Sequence, residues 1–227
     1  MADFTEECPY LPEQTSRMPL SVPSGPLAAE QLDQLLEAGY RRTGRFFYHT
    51  RCPHCVACEP LRVEVAKFRP SRSQSRAQKL GDAKLHTRIA PPSIDPRRLD
   101  LFNRHRHERQ LSQSDTEVGE TDYRSFLGNS CAESAELSLW FEEVLIAVSI
   151  FDVGADSLSA VYCYFDPDYS WLSPGTYAIL QQVAFARLQN FRWLYLGMMV
   201  AENAHLNYKL KYRPHERRIA GQWTLFD

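Results

Sequence analysis

The stretch "RCPHCVACEP", residues 51–60, contains three cysteines at C-x2-C-x2-C spacing, a pattern suited to metal binding. Thiolates two residues apart can converge on one ion across a tight turn. Structural zinc sites and cysteine-bound iron–sulfur clusters both usually take four protein ligands. The predicted ligand set is Cys8, Cys52, Cys55 and Cys58. His54 is a weaker substitute for the fourth ligand, and a reduced loop without metal fits the spacing equally well.

The number of cysteines, the N-terminal stretch and the longest apolar run indicate the compartment of the protein. Six cysteines in 227 residues are too few for a disulfide scaffold, and Cys131 and Cys163 lie among apolar residues as predicted core side chains. The opening "MADFTEECPY" lacks the basic and apolar regions of a secretory signal. The run "VLIAVSIFDV" is too short to span a bilayer. We therefore expect a cytoplasmic protein with no membrane partner.

Basic residues are concentrated in one block of the chain, although the formal net charge is only −2. Residues 62–109 hold 13 Lys or Arg against 5 Asp or Glu, whereas residues 110–170 hold 12 Asp or Glu and a single Arg. Such a block indicates local contact with a polyanion and not general binding of nucleic acid, so no DNA partner is expected. A solvated charged face without a ligand is the plainer interpretation.

Two arginine-rich stretches have spacing suited to anions. "FRPSRSQSRAQK" places Arg69, Arg72, Arg76 and Lys79 three or four residues apart, so a helix would gather them on one face. "GYRRTGRFFY" places Arg41 and Arg42 at a helix-to-strand turn, where fixed guanidinium groups bind a carboxylate through two hydrogen bonds. An ion pair with the nearby Glu37 is the alternative for the second stretch.

The stretch "YCYFDPDYSWLSPGTYAIL" leads from a strand through a turn into a helix that begins near Gly175 and Thr176. The N-terminus of a helix beside a strand end can stabilise a phosphate or an oxyanion. Asp166 and Asp168 lie in the turn, where a carboxylate can accept a proton. Asp-Pro is also ordinary turn chemistry, and taken alone that interpretation is favoured.

Hydrophobic periodicity predicts the elements that position these residues. Helices are expected over 27–39, after Pro70, over 96–110 and over 175–190, with strands at 45–50, 61–68 and 193–200. Residues 136–154 and 157–168 are two strand-like runs. "APPSIDP" breaks the chain at 90–96, so we predict an N-terminal unit over 1–90 and a C-terminal one over 97–227. Strands followed by a helix and a further buried strand favour an α+β acyltransferase-type core.

Several of these segments together resemble the arginyl-tRNA–protein transferase family in order and spacing, over residues 8–216. The matching segments are "ECPYLPEQTSR", "GYRRTGRFFYHTRCPHCVACEPLRV", "FRPSRSQSR", "LSAVYCYFDPDYSWLSPGTYAIL", "WLYLGMMV" and "YKLKYRPHE". One early cysteine followed by C-x2-C-x2-C is similar to the bacterial aspartate/glutamate leucyltransferase branch. The resemblance implies an α+β fold with an acetyltransferase-like (GNAT) C-terminal core and a smaller cysteine-containing N-terminal unit.

The resemblance also implies an activity, namely transfer of an amino acid from aminoacyl-tRNA to the N-terminal Asp or Glu of proteins, which marks them for degradation by the N-degron pathway. Leucine from Leu-tRNA is expected, with arginine from Arg-tRNA as the alternative. The chemistry is ester aminolysis and requires no cofactor. An iron–sulfur cluster, a zinc ion or an empty site all fit the cysteines, and any metal there would be structural or regulatory.

The requirements of this reaction assign provisional roles to the candidate residues. The predicted catalytic groups are Asp166, assisting the amine, with Tyr195 and Tyr208 as polar helpers. The predicted substrate-binding residues are Arg41, Arg42, Arg69, Arg72, Gly175 and Thr176. The predicted tRNA contacts are Arg76, Lys79, Lys209, Lys211 and Arg213.

Two other classes of protein compete with this prediction. An acyltransferase using acetyl-coenzyme A would carry a glycine-rich pyrophosphate loop, whereas "LSPGTYA" contains a single glycine. A non-catalytic metal- and RNA-binding module would use the cysteines as a zinc knuckle and show no turnover.

Overall fold

The computed structural model describes residues 2–110 and 116–227, in which a single mixed sheet dominates. The strands are β1 (Thr5–Glu7), β2 (Thr15–Arg17), β3 (Arg41–Thr43), β4 (Phe46–Tyr48), β5 (Glu59–Glu64), β6 (Leu85–Ala90), β7 (Ser134–Phe141), β8 (Val144–Val153), β9 (Ser157–Phe165), β10 (Trp193–Met199), β11 (His215–Ile219) and β12 (Gln222–Phe226). The helices are α1 (Ala29–Glu37), α2 (Arg72–Lys84), α3 (Pro96–Glu108), α4 (Glu120–Tyr123) and α5 (Pro174–Leu188). Short 3-10 helices span Pro167–Leu172 and Asn207–Lys211, and a π-helical turn spans Arg124–Gly128.

Eight strands form the main sheet in the order β12-β11-β5-β10-β9-β8-β7-β6. Neighbouring strands are antiparallel except for the central pair, since β9 and β10 run parallel with α5 as the connection between them. The small pairs β1–β2 and β3–β4 lie outside this sheet. Strands β5 and β6 come from the N-terminal side of residues 90–96, so the main sheet takes strands from both sides of the predicted boundary.

Side chains alternate between the two faces of the sheet, and different helices cover each face. On one face, α5 and α2 pack on apolar residues of β5, β8, β9 and β10 to form the main core. Gly81 of α2 makes this packing close, because a Cβ there would lie 2.3 Å from the ring of Tyr177 in α5. On the other face, α3 and the π-helical turn cover β8 and β9 around Phe102.

The N-terminal elements cover the remaining part of that second face. Leu32 and Leu36 of α1 and Phe47 of β4 pack against Trp193 and Tyr195 of β10. Both α1 and α3 therefore lie on the same side of the sheet, one over β10 and the other over β8 and β9. The boundary between these two layers runs along the central parallel pair.

The predicted helices and several of the predicted strands are present. The helices expected at 27–39, after Pro70, at 96–110 and at 175–190 correspond to α1, α2, α3 and α5. The run 136–154, expected as one strand, is a hairpin of β7 and β8, because the turn at Glu142 and Glu143 reverses the chain with Glu142 at φ 52°. Strand β6 and the β11–β12 hairpin were not predicted.

Within residues 2–110 and 116–227, none of the helices combines the length and apolar character needed to cross a membrane.

Candidate functional site

The two parallel strands at the centre of the sheet separate towards their C-terminal ends. They pair from Trp193–Tyr195 to Ser157–Ser159, although β9 continues to Phe165 and β10 to Met199. Each strand has a register shift where the pairing ends. In β10 it lies between Tyr195 and Gly197, against β5, and in β9 it lies opposite Ile150 and Phe151 of β8. Bulges bend a strand and release it from its neighbour. We call the resulting opening the strand split.

Arg41 of β3 places its guanidinium group in the strand split. One nitrogen donates to Ser159 Oγ at 2.8 Å and another donates to the carbonyl oxygen of Ala160, both on β9. On the β10 side the guanidinium lies against Gly197, where a Cβ would be 3.0 Å from Arg41 Nη2. Gly197 also has φ +92°, a conformation that favours glycine. The glycine thus allows a buried cation to lie between the two strands.

No ion-pair partner for Arg41 is present in the described part of the chain. Asp152 acts on it electrostatically, but both oxygens of that carboxylate are already bonded. Arg42 donates to them at 2.6 and 2.8 Å, and Ser134 Oγ donates at 2.6 Å. Burial lowers the pKa of Arg41, which nevertheless stays charged because a guanidinium does not deprotonate in proteins.

The position of Arg42 does not support its predicted role in substrate binding. Its side chain and that of Asp152 are 2% and 1% exposed, and the two form a buried ion pair with two parallel hydrogen bonds. Because neither group reaches the surface, Arg42 attaches the β3–β4 hairpin to β8 and is not available to a substrate.

Lys209, predicted as a phosphate contact, is also buried, with 6% of its surface exposed. Its ammonium group donates to the carbonyl oxygen of Met198, next to Gly197 in the strand split. Burial and, to a smaller extent, the charge of Arg41 lower the pKa of Lys209 to about 7. An ammonium in this position does not face a phosphate backbone, so the tRNA-contact prediction does not fit its location.

Tyr208 lies at the mouth of the strand split and keeps 39% of its surface exposed. Its ring meets that of Tyr212 edge-on at 6.5 Å, and Tyr212 in turn is hydrogen-bonded to Thr176 at the start of α5. Burial of the hydroxyl end raises the pKa of Tyr208, and the charges of Arg41 and Arg109 oppose that shift. Of the three predicted catalytic residues, Tyr208 is therefore the one on which the charge of Arg41 acts.

Asp166, the predicted base, follows β9 and is held by neighbouring groups. Oδ2 accepts from Arg104 at 2.8 Å, and Oδ1 accepts from the backbone N–H of Asp168 at 3.0 Å as the cap of the following 3-10 helix. Asp168 pairs with the same guanidinium at 2.7 Å. These contacts fit a carboxylate that joins α3 to the end of β9 better than one that accepts a proton from a substrate.

Tyr195, another predicted catalytic residue, is 4% exposed and belongs to a different network. Its hydroxyl lies 3.1 Å from Arg62 Nη1 and 3.2 Å from Glu37 Oε2. The Arg62 guanidinium is stacked between Trp193 and Trp223, 3.7 and 4.1 Å from the ring centroids. This stack lies on β5, β10 and β12 of the main sheet, and the Arg62–Glu37 ion pair joins it to the end of α1; sequence reasoning missed it.

The start of α5 faces the same end of the strands as Asp166. Gly175 lies in the first turn, and a Cβ there would be 3.5 Å from the ring of Phe165 at the end of β9. Ser173, which precedes the helix, has φ 53° and makes no side-chain cap. The first backbone N–H groups of a helix carry partial positive charge. Gly175 and Thr176 therefore lie where the prediction expects an anion or oxyanion.

The remaining predicted cations lie together on the surface. Arg72, Arg76 and Lys79 of α2 line a shallow concavity, exposed and without an ion pair in the described ranges. The side chain of Gln74 donates to the Lys211 carbonyl at 3.2 Å, which brings exposed Lys211 and Arg213 to the start of the helix. We call the set Arg72, Arg76, Lys79, Lys211 and Arg213 the α2 basic surface. Arg69, by contrast, bonds its own loop at the carbonyl oxygens of Ala66 and Phe68.

The four predicted metal ligands lie near one another in the N-terminal part of the chain. Burial, followed by the charges of Cys52, Cys8 and Cys55 in that order, raises the pKa of Cys58 to about 12. Such mutual electrostatic effects require proximity. The thiols are not gathered around a point, however, because residues 2–110 and 116–227 contain no cluster of three His, Cys, Asp or Glu groups with metal-binding geometry. The donor chemistry fits zinc or an iron–sulfur cluster, and the metal stays a prediction.

The mixed α/β fold with one large mixed sheet is similar to the folds of three solved structures. It is similar to L-PGS from Bacillus licheniformis with a TM-score of 0.51 and 13% identity, covering 74% of this chain and 58% of that one. FemX gives a TM-score of 0.51 at 8% identity, covering 79% and 64%. The C-terminal domain of a putative lysylphosphatidylglycerol synthetase from Agrobacterium fabrum gives 0.50 at 12%, covering 68% and 50%. At such identities the likeness establishes the fold alone.

Sequence comparison assigns the family. Models of the N and C termini of arginine-tRNA-protein transferase match residues 6–76 and 97–219. The aspartate/glutamate leucyltransferase of Aeromonas hydrophila is 36% identical over 222 residues, covering 97% of this chain and 92% of that protein. The one from Vibrio campbellii is 34% identical over 217 residues, covering 95% and 92%. The chain belongs to the arginine-tRNA-protein transferase family.

Proposed function

We propose that this protein transfers leucine from Leu-tRNA to the N-terminal Asp or Glu of proteins. Family membership supports a tRNA-dependent aminoacyltransferase, and the relatives named above are aspartate/glutamate leucyltransferases. The structural observation that carries the proposal is Arg41, a buried guanidinium in the strand split with no described carboxylate partner. A buried charge is stable only when it is compensated, and an acidic side chain supplies that compensation.

The reaction is the aminolysis of an ester and defines what the residues must do. The α-ammonium group of the acceptor first loses a proton, and the free amine attacks the carbonyl carbon of the aminoacyl ester. The bond from that carbon to the ribose oxygen breaks, the RNA leaves as a free hydroxyl, and one proton is released overall. No electrons are exchanged, so the enzyme has to position the two reactants and stabilise the oxyanion.

The described residues divide these tasks by location. Arg41 binds the acceptor carboxylate within the strand split, and the start of α5, at Gly175 and Thr176, offers backbone N–H groups to developing negative charge. Tyr208 lies between these two positions as a polar helper. The α2 basic surface contacts phosphates of the tRNA acceptor stem. The 207–213 segment connects the α2 basic surface to the strand split.

Two finer assignments accompany this proposal. The separation of a parallel strand pair beside a helix start supports an acetyltransferase-like (GNAT) arrangement for the C-terminal part, with the N-terminal elements as a cysteine-containing unit. The cysteines Cys8, Cys52, Cys55 and Cys58 would hold a zinc ion or an iron–sulfur cluster, which would tie the loop before β5 to the β1–β2 hairpin. We place the reaction in the cytoplasm, where it marks proteins for degradation.

A transfer assay tests the proposal. The protein is incubated with radiolabelled Leu-tRNA or Arg-tRNA and with peptides that differ in their first residue: Asp, Glu, Asn or Ala. Label from Leu-tRNA is expected on the Asp and Glu peptides alone. Label from Arg-tRNA would identify arginine as the amino acid transferred. Binding of RNA without transfer to any peptide would contradict the proposal and favour a non-catalytic module.

A further inference from the structure

Two cationic side chains meet at the strand split, and no carboxylate among residues 2–110 and 116–227 forms an ion pair with either of them. Arg41 reaches it from β3, on one face of the sheet, and Lys209 reaches it from the 3-10 helix that follows β10. Their contacts fall on Ser159 and Ala160 on one strand and on Met198 on the other. Both side chains are more than nine-tenths buried by surface area.

The charged and titratable groups around Lys209 can be named element by element. Arg41 faces it from β3, and Tyr208 lies beside it, its ring centroid 5.7 Å from Nζ. Arg109 at the end of α3 and Cys163 of β9 act on that tyrosine electrostatically. None of these groups is a carboxylate, and no salt bridge involves Lys209 in the described ranges.

The two cations respond differently to burial. Arginine cannot give up its proton, so its charge persists in the strand split. Lysine can release a proton, and burial beside Arg41 lowers its pKa to about 7. An anion placed between the two groups would reverse that effect, because an opposite charge nearby favours the ammonium form.

We propose that Lys209 determines specificity for acidic acceptors by binding their side-chain carboxylate together with Arg41, and that it takes up a proton as that carboxylate enters the strand split. This inference rests on the proposed function, since it concerns how the same acceptor is recognised. A neutral first residue provides no charge to hold the proton, so the two cations would disfavour an Asn or Ala side chain. Discrimination therefore comes from charge as well as from shape.

With this role for Lys209, the affinity for an Asp peptide should fall as the pH rises. At pH 6 Lys209 already carries its proton, and an acidic peptide binds without further uptake. At pH 8 the free enzyme holds the neutral amine, so each peptide bound draws a proton from the buffer. The dissociation constant of an Asp peptide should therefore rise about tenfold per pH unit above 7, until the Lys209 pKa in the complex is reached.

Calorimetry in buffers of different ionisation enthalpy counts that proton directly. Peptides that begin with Asp and with Asn are compared at pH 6 and pH 8, so that the shared α-amino group cancels. We expect the Asp peptide to take up close to one more proton than the Asn peptide at pH 8 and no more at pH 6. Equal uptake by both peptides at pH 8 would overturn the inference.

Variants assign the proton to Lys209. Lys209→Met should remove the extra uptake and weaken Asp-peptide binding at least tenfold at pH 6, with little effect on the Asn peptide. Lys209→Arg keeps a fixed charge, so binding should persist without uptake or pH dependence. Lys84→Met, an exposed lysine at the end of α2, is the matched control and should match the wild type.

The remaining outcomes are decisive. Unchanged uptake in Lys209→Met would show that another group titrates. Wild-type turnover that falls as the pH drops below 7, together with a Lys209→Met variant that binds the Asp peptide normally but has lost turnover, would make Lys209 a base and overturn the specificity role. The wild-type transfer assay separates this inference from the proposed function: label on Asp peptides without proton uptake refutes the inference alone, and absence of transfer refutes the function.

Discussion

At the scale of single residues, the strand split depends on a contact between two residues that residue types alone do not predict. Arg41 and Gly197 are 156 positions apart, yet a Cβ at Gly197 would lie 3.0 Å from the guanidinium. The sequence did carry one signal, since a glycine inside the apolar run "WLYLGMMV" indicates a bulge or a close approach. It carried none for Lys209, because "YKLKYRP" has the composition of a solvated basic segment.

Gly197→Ala tests whether the close approach matters. The new methyl group would lie against Arg41, and the alanine would have to adopt the φ of +92° that the glycine has. We therefore expect a loss of about 1–3 kcal/mol in unfolding free energy. Displacement of the guanidinium should also raise KM for the Asp peptide at least tenfold. Urea titration and transfer kinetics measure the two effects. Gly119→Ala, where a Cβ meets nothing within 4 Å, is the control, and equal behaviour of both variants would contradict the role given to Gly197.

Asp166→Asn decides between a cap and a base. An asparagine oxygen can still accept from the Asp168 N–H, whereas the ion pair to Arg104 is lost, so we expect a stability cost of about 1 kcal/mol. The rate of leucine transfer should stay within a few-fold of wild type. A general base contributes about 100-fold to 10,000-fold, so a loss of that size in single-turnover experiments would restore Asp166 as the base.

At the scale of elements, the second face of the sheet is built from two separate layers attached by polar residues. Arg42 and Asp152 attach the β3–β4 hairpin to β8. Arg62, stacked between Trp193 and Trp223, pairs with Glu37 and so attaches the end of α1. Breaking a buried ion pair by removing one partner typically costs about 3–5 kcal/mol. These contacts fix the position of Arg41 in the strand split, because Arg41 directly precedes Arg42 on β3.

His105 attaches the other layer, and it gives that layer a pH dependence. Its Nδ1 lies 2.9 Å from the Phe165 carbonyl oxygen and 3.2 Å from the Phe165 backbone nitrogen, joining α3 to the end of β9. Burial lowers the pKa of His105 from 6.5 to about 4. The unfolded chain therefore binds the proton more readily, and stability contributed by the neutral imidazole is lost as the pH falls from 6.5 to 4.

His105→Gln measures that contribution. Over this range the wild type should lose about 3 kcal/mol more unfolding free energy than the variant, because each unit of pKa shift is worth about 1.4 kcal/mol. Urea titrations at half-unit steps of pH provide the comparison, and carboxylates that titrate in both proteins cancel. Parallel pH profiles for the two proteins would show that folding does not lower the pKa of His105.

At the scale of the whole molecule, the sequence predicted which helices and strands exist better than it predicted which strands pair with each other. Periodicity located α1 and α5, since each buries one face, while the polar stretch after Pro70 indicated α2 and a fully apolar run indicated β10. It could not place β5 between β10 and β11, a long-range pairing that joins the two predicted units in one sheet. The candidate site depends on the fold in the same way: residue types suggested anion binding, but only the three-dimensional fold separates Arg42, paired with Asp152, from Arg41 beside it.

The spatial division between the strand split and the α2 basic surface makes a prediction about the whole molecule. Arg76→Gln and Lys79→Gln remove exposed cations from α2, which lies on the face of the sheet opposite to the β3–β4 hairpin that carries Arg41, so they should weaken tRNA binding without changing peptide affinity. Each lost phosphate contact reduces the slope of log K against log salt concentration by about 0.7–0.9. Binding is measured by filter retention of labelled tRNA across a salt series. Arg124→Gln removes an exposed arginine, paired with Glu120, from the elements on the opposite face of the sheet, and its slope should equal that of the wild type. If all three variants lower the slope alike, the α2 basic surface is not the RNA-binding face.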